Sequence, residues 1–143
     1  MKKEMVIGYT TGVFDMFHIG HLNLLRRAKE HCDYLVVGVH RDASHKGKDA
    51  FIPFNERCEI LRSTKYVDKV IESKREDSDV YEDIKYRFLF VGSDYKGTER
   101  FERYEKYFEN KGVEIVYLPY TQTTNSTKLR EALDSNIMSK QND

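Results

Sequence analysis

Short apolar runs recur along this chain, separated by longer segments in which apolar and polar residues follow helical spacing. The runs at residues 34–39, 88–91 and 113–118 are almost continuously apolar, residues 5–7 form a shorter run, and residues 66–71 alternate. Continuous apolar runs are typical of strands covered on both faces, as in a parallel sheet. The pattern therefore predicts about five strands.

Helices are predicted between and after these strands, at residues 22–29, 53–62, 80–85, 101–111 and 126–133. Pro53 suits the first turn of the second helix. Because strands and helices alternate throughout, we predict an α/β fold, a Rossmann-like single domain with a parallel sheet flanked by helices. We place this domain at residues 1–134 and a polar C-terminal tail, which we expect to fray, at residues 135–143.

The fourth predicted helix carries an aromatic stripe. Tyr104, Tyr107 and Phe108 fall on one side of it at helical spacing, and Gly112 is placed to end it. A stripe of this kind is more typical of a core than of a ligand platform. We therefore expect the three rings to be buried.

Composition limits the classes of partner. The 143 residues hold 24 Lys plus Arg and 24 Asp plus Glu, so no net charge draws the chain to nucleic acid or to an anionic membrane. The apolar run near the N-terminus is too short for a signal peptide or a membrane span. Cys32 and Cys58 fall in or beside predicted helices, which favours reduced thiols. We expect a cytoplasmic protein.

The segment between the first strand and the first helix, YTTGVFDMFHIGH at residues 9–21, carries the candidate chemistry. A strand that breaks at glycine and enters a helix exposes the first N–H groups of that helix, which suits a phosphate. His18 and His21 flank Gly20, which lets a ligand approach the backbone. Imidazoles at a helix N-terminus can donate hydrogen bonds to phosphate oxygens and stabilise developing charge.

The stretch from Gly12 to His21 resembles the HxGH signature of the small cytidylyltransferases, most closely the bacterial glycerol-3-phosphate cytidylyltransferases. The resemblance extends from about residue 6 to residue 133. It implies that His18 and His21 hold the triphosphate of CTP and stabilise its reacting phosphate, and that Phe14 and Asp15 take part in binding. It also implies Mg²⁺ as cofactor and a homodimer, whose contact lies near residues 65–68.

A different interpretation of the same residues stays open. Asp15, His18 and His21 recur at intervals of three, a spacing that could also serve a metal ion. The glycine, the strand-to-helix position and the basic residues that follow favour an anion instead.

Basic residues after the second strand form a second candidate group. Lys46 and Lys48 precede Arg57 by 11 and 9 residues, and the resemblance assigns this spacing to substrate phosphates. Arg57 would be a bidentate phosphate clamp, with the lysines as point charges. The alternative is that the lysines are merely solvated and that Arg57 forms a surface ion pair with Glu56 or Glu59.

Residues after the fourth and fifth strands complete the candidate site. Asp94 is assigned to a nucleotide or metal contact, or else to a plain turn. Tyr120 stands where the resembled family has an arginine, and we expect it to pack against the base or the loop. Arg130 is expected to supply the lost triphosphate contact, unless it pairs with Asp134 on the helix surface.

The resemblance implies transfer of CMP from CTP to a small alcohol phosphate, with glycerol 3-phosphate as acceptor and CDP-glycerol for a cell-surface polymer as product. The alternatives are an ATP-dependent adenylyltransferase of the same fold, or a non-catalytic nucleotide-binding or zinc-dependent hydrolytic module. The candidate catalytic residues are His18, His21, Lys46 and Arg57, and the substrate phosphate residues are Lys46, Lys48 and Arg57. The candidate nucleotide-binding residues are Thr11, Gly12, Phe14, Asp15, His18, Gly20, His21, Asp94, Thr121, Ser126, Thr127 and Arg130.

Overall fold

The computed structural model describes residues 4–41, 50–120 and 126–141. Five parallel strands form one sheet in the order β3-β2-β1-β4-β5, which confirms the predicted Rossmann-like architecture. The strands are β1 (Ile7–Gly12), β2 (Tyr34–Val39), β3 (Lys69–Glu72), β4 (Phe88–Gly92) and β5 (Glu114–Leu118).

The first strand begins and ends later than predicted. It starts at Ile7 and continues to Gly12, through residues that we expected to form the turn. Its register with β2 is unbroken from Ile7 opposite Tyr34 to Gly12 opposite Val39. Tyrosine and threonine favour a half-buried pleated strand, so Tyr9, Thr10 and Thr11 extend the sheet toward the site.

Within the described residues, five α-helices and one 3₁₀ turn (Ser93–Tyr95) connect and follow the strands. Gly112, with a φ of 74°, lies in the reversal between the fourth helix and β5. The last helix is longer than predicted, since it continues past residue 133 to Gln141. The helices are α1 (Ile19–Glu30), α2 (Phe54–Arg62), α3 (Asp77–Ile84), α4 (Glu99–Phe108) and α5 (Ser126–Gln141).

The sheet separates two apolar cores. One contains Leu25 and Leu61, from α1 and α2. The other lies under α3 and α4, where Tyr104 and Phe108 are buried as predicted. Tyr107 is 36% exposed and its hydroxyl donates to Glu82, so the prediction of burial was wrong for this ring.

The order of the strands places a crevice at the carboxyl ends of β1 and β4. β2 and β3 follow β1 on one side of it in the sheet. The chain then crosses over, so that β4 and β5 lie on the opposite side of β1. Such a switch point is where open α/β sheets bind ligands, because the helices diverge there to opposite faces. Among the described helices, none is long and apolar enough to cross a lipid bilayer.

Candidate active site

A cavity of about 790 Å³ lies at the carboxyl ends of β1, β4 and β5. Its size is within the range of small-molecule sites. The predicted site residues that line it are Thr11, Gly12, Phe14, Asp15, His18, Gly20, His21, Asp94, Thr127 and Arg130. Lys46, Lys48, Thr121 and the side chain of Ser126 lie outside the described part of the chain.

His18 and His21 cap the helix that begins beside them. The Nδ1 atom of His18 accepts a hydrogen bond from the N–H of Gly20 at 3.0 Å, and Nδ1 of His21 accepts from the N–H of His18 at 3.2 Å. This reciprocal arrangement is a capping box, usually made by Ser or Thr with Glu or Gln. The imidazoles thus satisfy backbone donors that would otherwise be unpaired.

These bonds determine the protonation of both rings. A backbone N–H always donates, so Nδ1 must be the acceptor and the proton of each neutral imidazole sits on Nε2. The rings of His18 and His21 stack with centroids 3.9 Å apart. Protonating Nδ1 would break a cap, and burial also lowers the pKa of His18. The pair therefore presents two neutral Nε2–H donors side by side.

The turn before α1 is strained and tightly packed. Phe14 and Met16 have φ of 54° and 51°, in the left-handed region that residues other than glycine rarely adopt. The buried ring of Phe14 lies 5.4 Å from the ring of His21. Because such backbone strain persists only where surrounding contacts enforce it, the turn holds the histidines in one orientation.

Asp15 is 3% exposed and binds other parts of the chain. Its carboxylate accepts from the N–H groups of Phe51 and Ile52 at 2.8 and 2.9 Å, and from Arg130 at 2.6 Å. The carboxylate thus joins the turn before α1 to the segment before α2 and to α5. These bonds fix the edge of the cavity at Asp15, and its role in nucleotide binding stays a prediction.

The histidine spacing does not form a metal site in this fold. Among the residues that the structure describes, no group of three or more His, Cys, Asp or Glu side chains is arranged to hold a metal ion. Nδ1 of both His18 and His21 accepts from the backbone, and Asp15 binds protein donors. The zinc alternative therefore lacks its expected ligands.

The structure corrects both expectations for Arg57. The side chain is 2% exposed, and four of its N–H groups donate to the carbonyls of Ile52, Val13, His40 and Arg41 at 2.6–2.9 Å. A surface ion pair with Glu56 or Glu59 is therefore wrong. The described contacts are also not those of a phosphate clamp, because the planar guanidinium is directed at carbonyls around the ends of β1 and β2.

Arg130 pairs with Asp15. The alternative, a surface ion pair between Arg130 and Asp134, is therefore wrong. Its guanidinium lies 4.7 Å from the centre of the Phe51 ring, and its side chain lines the cavity. It is therefore a partly buried cation on the wall of the site, as our prediction of a triphosphate contact requires.

Tyr120 packs against the turn after β4. Its hydroxyl donates to Asp94 at 2.6 Å, and burial is the main cause that raises the pKa of Tyr120. A side chain at Gly92 would meet this hydroxyl at 2.6 Å, so the contact requires glycine there. The structure thus pairs Tyr120 with Asp94 on the wall formed after β4 and β5.

Sequence reasoning missed Asp77, the first residue of α3. It is 3% exposed, lines the cavity, and accepts from the hydroxyl of Thr11 at 3.2 Å. Burial raises its pKa to about 6, against the opposing charge of Arg100. Its position after the carboxyl end of a strand could have indicated a site residue. However, an acidic residue at a helix start is also an ordinary helix feature, because it interacts favourably with the helix dipole.

The fold and this site together define a class of protein. A parallel sheet with a crevice at its switch point, and two neutral donors at a helix start beside that crevice, are the features of a Rossmann-type nucleotidyltransferase. Residues 9–135 match the family model described as cytidylyltransferase-like, and the chain belongs to this family. It is accordingly a nucleotidyltransferase enzyme.

Individual relatives differ in what their names say they make. The chain is 37% identical to glycerol-3-phosphate cytidylyltransferase of Bacillus subtilis, over 93% of this chain and 98% of that one. It is 30% identical to FAD synthase of Thermococcus sibiricus, over 89% of each chain. A solved structure of a lipopolysaccharide core biosynthesis protein from Thermoplasma volcanium superimposes with a TM-score of 0.69 at 27% identity, covering 85% of this chain and all of that one.

Proposed function

We propose that this enzyme transfers CMP from CTP to a small alcohol phosphate, with glycerol 3-phosphate as acceptor and CDP-glycerol and pyrophosphate as products. The observation that carries the proposal is the stacked pair of neutral imidazoles at the start of α1, on the wall of the cavity. The similarity to glycerol-3-phosphate cytidylyltransferases along almost the whole chain supports this choice of nucleotide and acceptor.

The proposed reaction is a direct in-line displacement. An oxygen of the acceptor phosphate bonds to the α-phosphorus of CTP while the bond from that phosphorus to the bridging oxygen of the β-phosphate breaks, and pyrophosphate leaves. A phosphate monoester is largely a dianion at neutral pH, so its attacking oxygen needs no general base. The protein acts by positioning the reactants and stabilising charge.

The two histidines would supply that stabilisation. Their Nε2–H groups donate to phosphate oxygens of the nucleotide, and because both rings stay neutral, no proton has to move during the step. Donors fixed in advance in this way need little reorganisation as charge develops, and one such donor accounts for about 10²–10³ in kcat.

The nucleotide is proposed to lie across the β4–β5 side of the cavity. The first turn of α5, with Thr127 and Lys128, lines the same cavity, and N–H groups at a helix start suit triphosphate oxygens. Arg130, paired with Asp15, lines the cavity as well, and Tyr120 with Asp94 offers a surface for the base. Lys46, Lys48 and Thr121, which lie outside the described residues, are proposed to contribute as well.

Mg²⁺ is proposed to enter with the nucleotide. The described cavity wall has separate carboxylates, such as Asp94, and no cluster of them. That arrangement suits Mg²⁺, which usually keeps its waters and binds substrate phosphates with few protein ligands. When bound, the ion would neutralise charge on the phosphates and on departing pyrophosphate.

A substrate screen tests the proposal. Pyrophosphate release is measured with Mg²⁺ for CTP and for ATP, each with glycerol 3-phosphate, ethanolamine phosphate and FMN. We expect kcat/KM to be highest for CTP with glycerol 3-phosphate, and CDP-glycerol to be the product by mass spectrometry. Higher turnover of ATP with FMN, as the FAD synthase similarity allows, would contradict the proposal.

A further inference from the structure

We propose that Asp77 is a specificity-determining residue that accepts a hydrogen bond from a hydroxyl group of the acceptor alcohol. This inference rests on the proposed function and adds to it a recognition site for the part of the acceptor that does not react. Asp77 lies on the cavity wall and is 3% exposed.

Two tyrosines hold the backbone of Asp77 in place. Its N–H donates to the hydroxyl of Tyr104 at 3.1 Å, and its carbonyl accepts from the hydroxyl of Tyr86 at 2.9 Å. Both tyrosines are almost completely buried in the core under α3 and α4. The carboxylate is therefore presented to the cavity from a rigid base, as a binding group requires.

The carboxylate itself has little compensation for its burial. From the described residues it receives one hydrogen bond, from Thr11 at 3.2 Å, which is long for an O–H···O contact. Asp15, which is equally buried, receives three bonds at 2.6–2.9 Å. Burial raises the pKa of Asp77 to about 6, so at neutral pH the fold maintains an unfavourable charge. Such costs recur where a group is kept for binding.

The surrounding charges indicate which ligand group fits. A carboxylate repels phosphate, so the phosphates of both substrates must lie elsewhere. A cationic ligand group is disfavoured as well, because Arg100 also lines the cavity and its charge acts on Asp77. A neutral donor remains, and an alcohol hydroxyl is the neutral donor that a small alcohol phosphate offers.

We assign this hydroxyl to the acceptor rather than to the nucleotide. Asp77 follows β3, at one edge of the sheet, and reaches Thr11 at the end of β1. The residues proposed for the nucleotide follow β4 and β5, on the other side of β1. The reacting phosphorus would lie beside the histidines, with the acceptor against Thr11 and Asp77.

The test compares two acceptors of equal length, glycerol 3-phosphate and n-propyl phosphate, which lacks both hydroxyls. For the wild type with CTP, we expect kcat/KM to be at least about 100-fold higher for glycerol 3-phosphate, because a polar site rejects an analogue that leaves it unpaired. In Asp77→Ala the ratio should fall at least tenfold while KM for CTP changes less than twofold. Asp77→Asn retains an acceptor for Thr11 and should give an intermediate ratio.

Asp79→Ala is the matched control, since Asp79 is an exposed aspartate on the same helix, and it should keep the wild-type ratio. A ratio in Asp77→Ala within threefold of wild type overturns the inference and leaves the proposed function standing. A rise in KM for CTP also overturns it, because Asp77 would then contact the nucleotide. Absence of turnover by the wild type with CTP and glycerol 3-phosphate overturns the proposed function and the inference together.

Discussion

At the start of α1, histidine occupies the N-cap position ordinarily filled by Ser, Thr, Asp or Asn, and a second histidine replaces the usual glutamate. The two residues thereby serve structure with Nδ1, and the proposed function assigns the chemistry to Nε2. Asp77 differs from the histidines, because its charge is unfavourable for folding and its side chain lines the cavity. Substitutions can separate these roles.

His18→Ala should lower kcat by about 10²–10³-fold, the cost of one transition-state donor, and should lower the free energy of unfolding by about 1 kcal/mol through loss of the cap. His18→Asn keeps an oxygen that can accept from Gly20 but lacks the Nε2 donor. We therefore expect Asn to restore stability and not turnover. Steady-state kinetics and urea denaturation of both variants check this, and near-normal kcat in His18→Asn would remove His18 from the mechanism.

Asp77 should make stability depend on pH. Its pKa in the folded protein is about 6, above the ordinary 3.8, so its contribution to stability is fully present below pH 3.8 and is lost as the pH rises through 6. Asp77→Asn removes this loss. We expect the variant to exceed wild type in free energy of unfolding by on the order of 3 kcal/mol at pH 8, and to approach it at pH 4. Urea denaturation at both pH values measures this, and a pH-independent difference would contradict it.

At the element scale, single side chains join segments that are distant in the chain. Arg57 on α2 binds carbonyls around the ends of β1 and β2, and Asp15 before α1 binds Arg130 on α5. The cavity wall is therefore assembled from elements that buried polar contacts hold together. A loss at either contact should affect the fold and the site at once.

Arg57→Lys should destabilise the protein by at least about 2 kcal/mol, because an ammonium has three donors and cannot match four carbonyls around a planar group. Turnover should fall with it, since the ends of β1 and β2 border the site. Arg62→Lys, an exposed change on the same helix, should stay within about 0.5 kcal/mol of wild type. If Arg57→Lys matched Arg62→Lys in stability and kinetics, the positioning role would be wrong.

At the scale of the whole molecule, the sheet places two apolar cores on opposite faces and the cavity at the end between them. Helices from both faces reach this end, so the histidines of α1 and Asp77 of α3 can face the same ligand.

We also expect the protein to be a homodimer, from the resemblance around residues 65–68. Exposed Ile60 on the neighbouring helix is consistent with a covered surface there, whereas Asp68 binds Lys29 and the N–H of Leu35 within the chain. Sedimentation should give a mass near twice 16.9 kDa. A fully active species at the mass of one chain would contradict this expectation.

Sequence patterns by themselves determined the kind of fold and the place of the site. Apolar runs separated by amphipathic segments specify a parallel α/β sheet, and the glycine and histidines before the first helix marked the end of the sheet where the cavity lies. Both signals are local, because the periodicity and the turn residues act within a few positions. The signature at residues 12–21 is local as well, and it was sufficient to indicate the family.

The tertiary structure decided what individual side chains do. The bonds that turn Arg57 inward, join Asp15 to Arg130 and bring Thr11 to Asp77 span 44, 115 and 66 residues. No local pattern specifies such partners, because they meet only when the strand order brings distant elements together. The same holds for burial, which gives Asp77 its raised pKa and makes an ordinary helix-start aspartate a candidate for recognition.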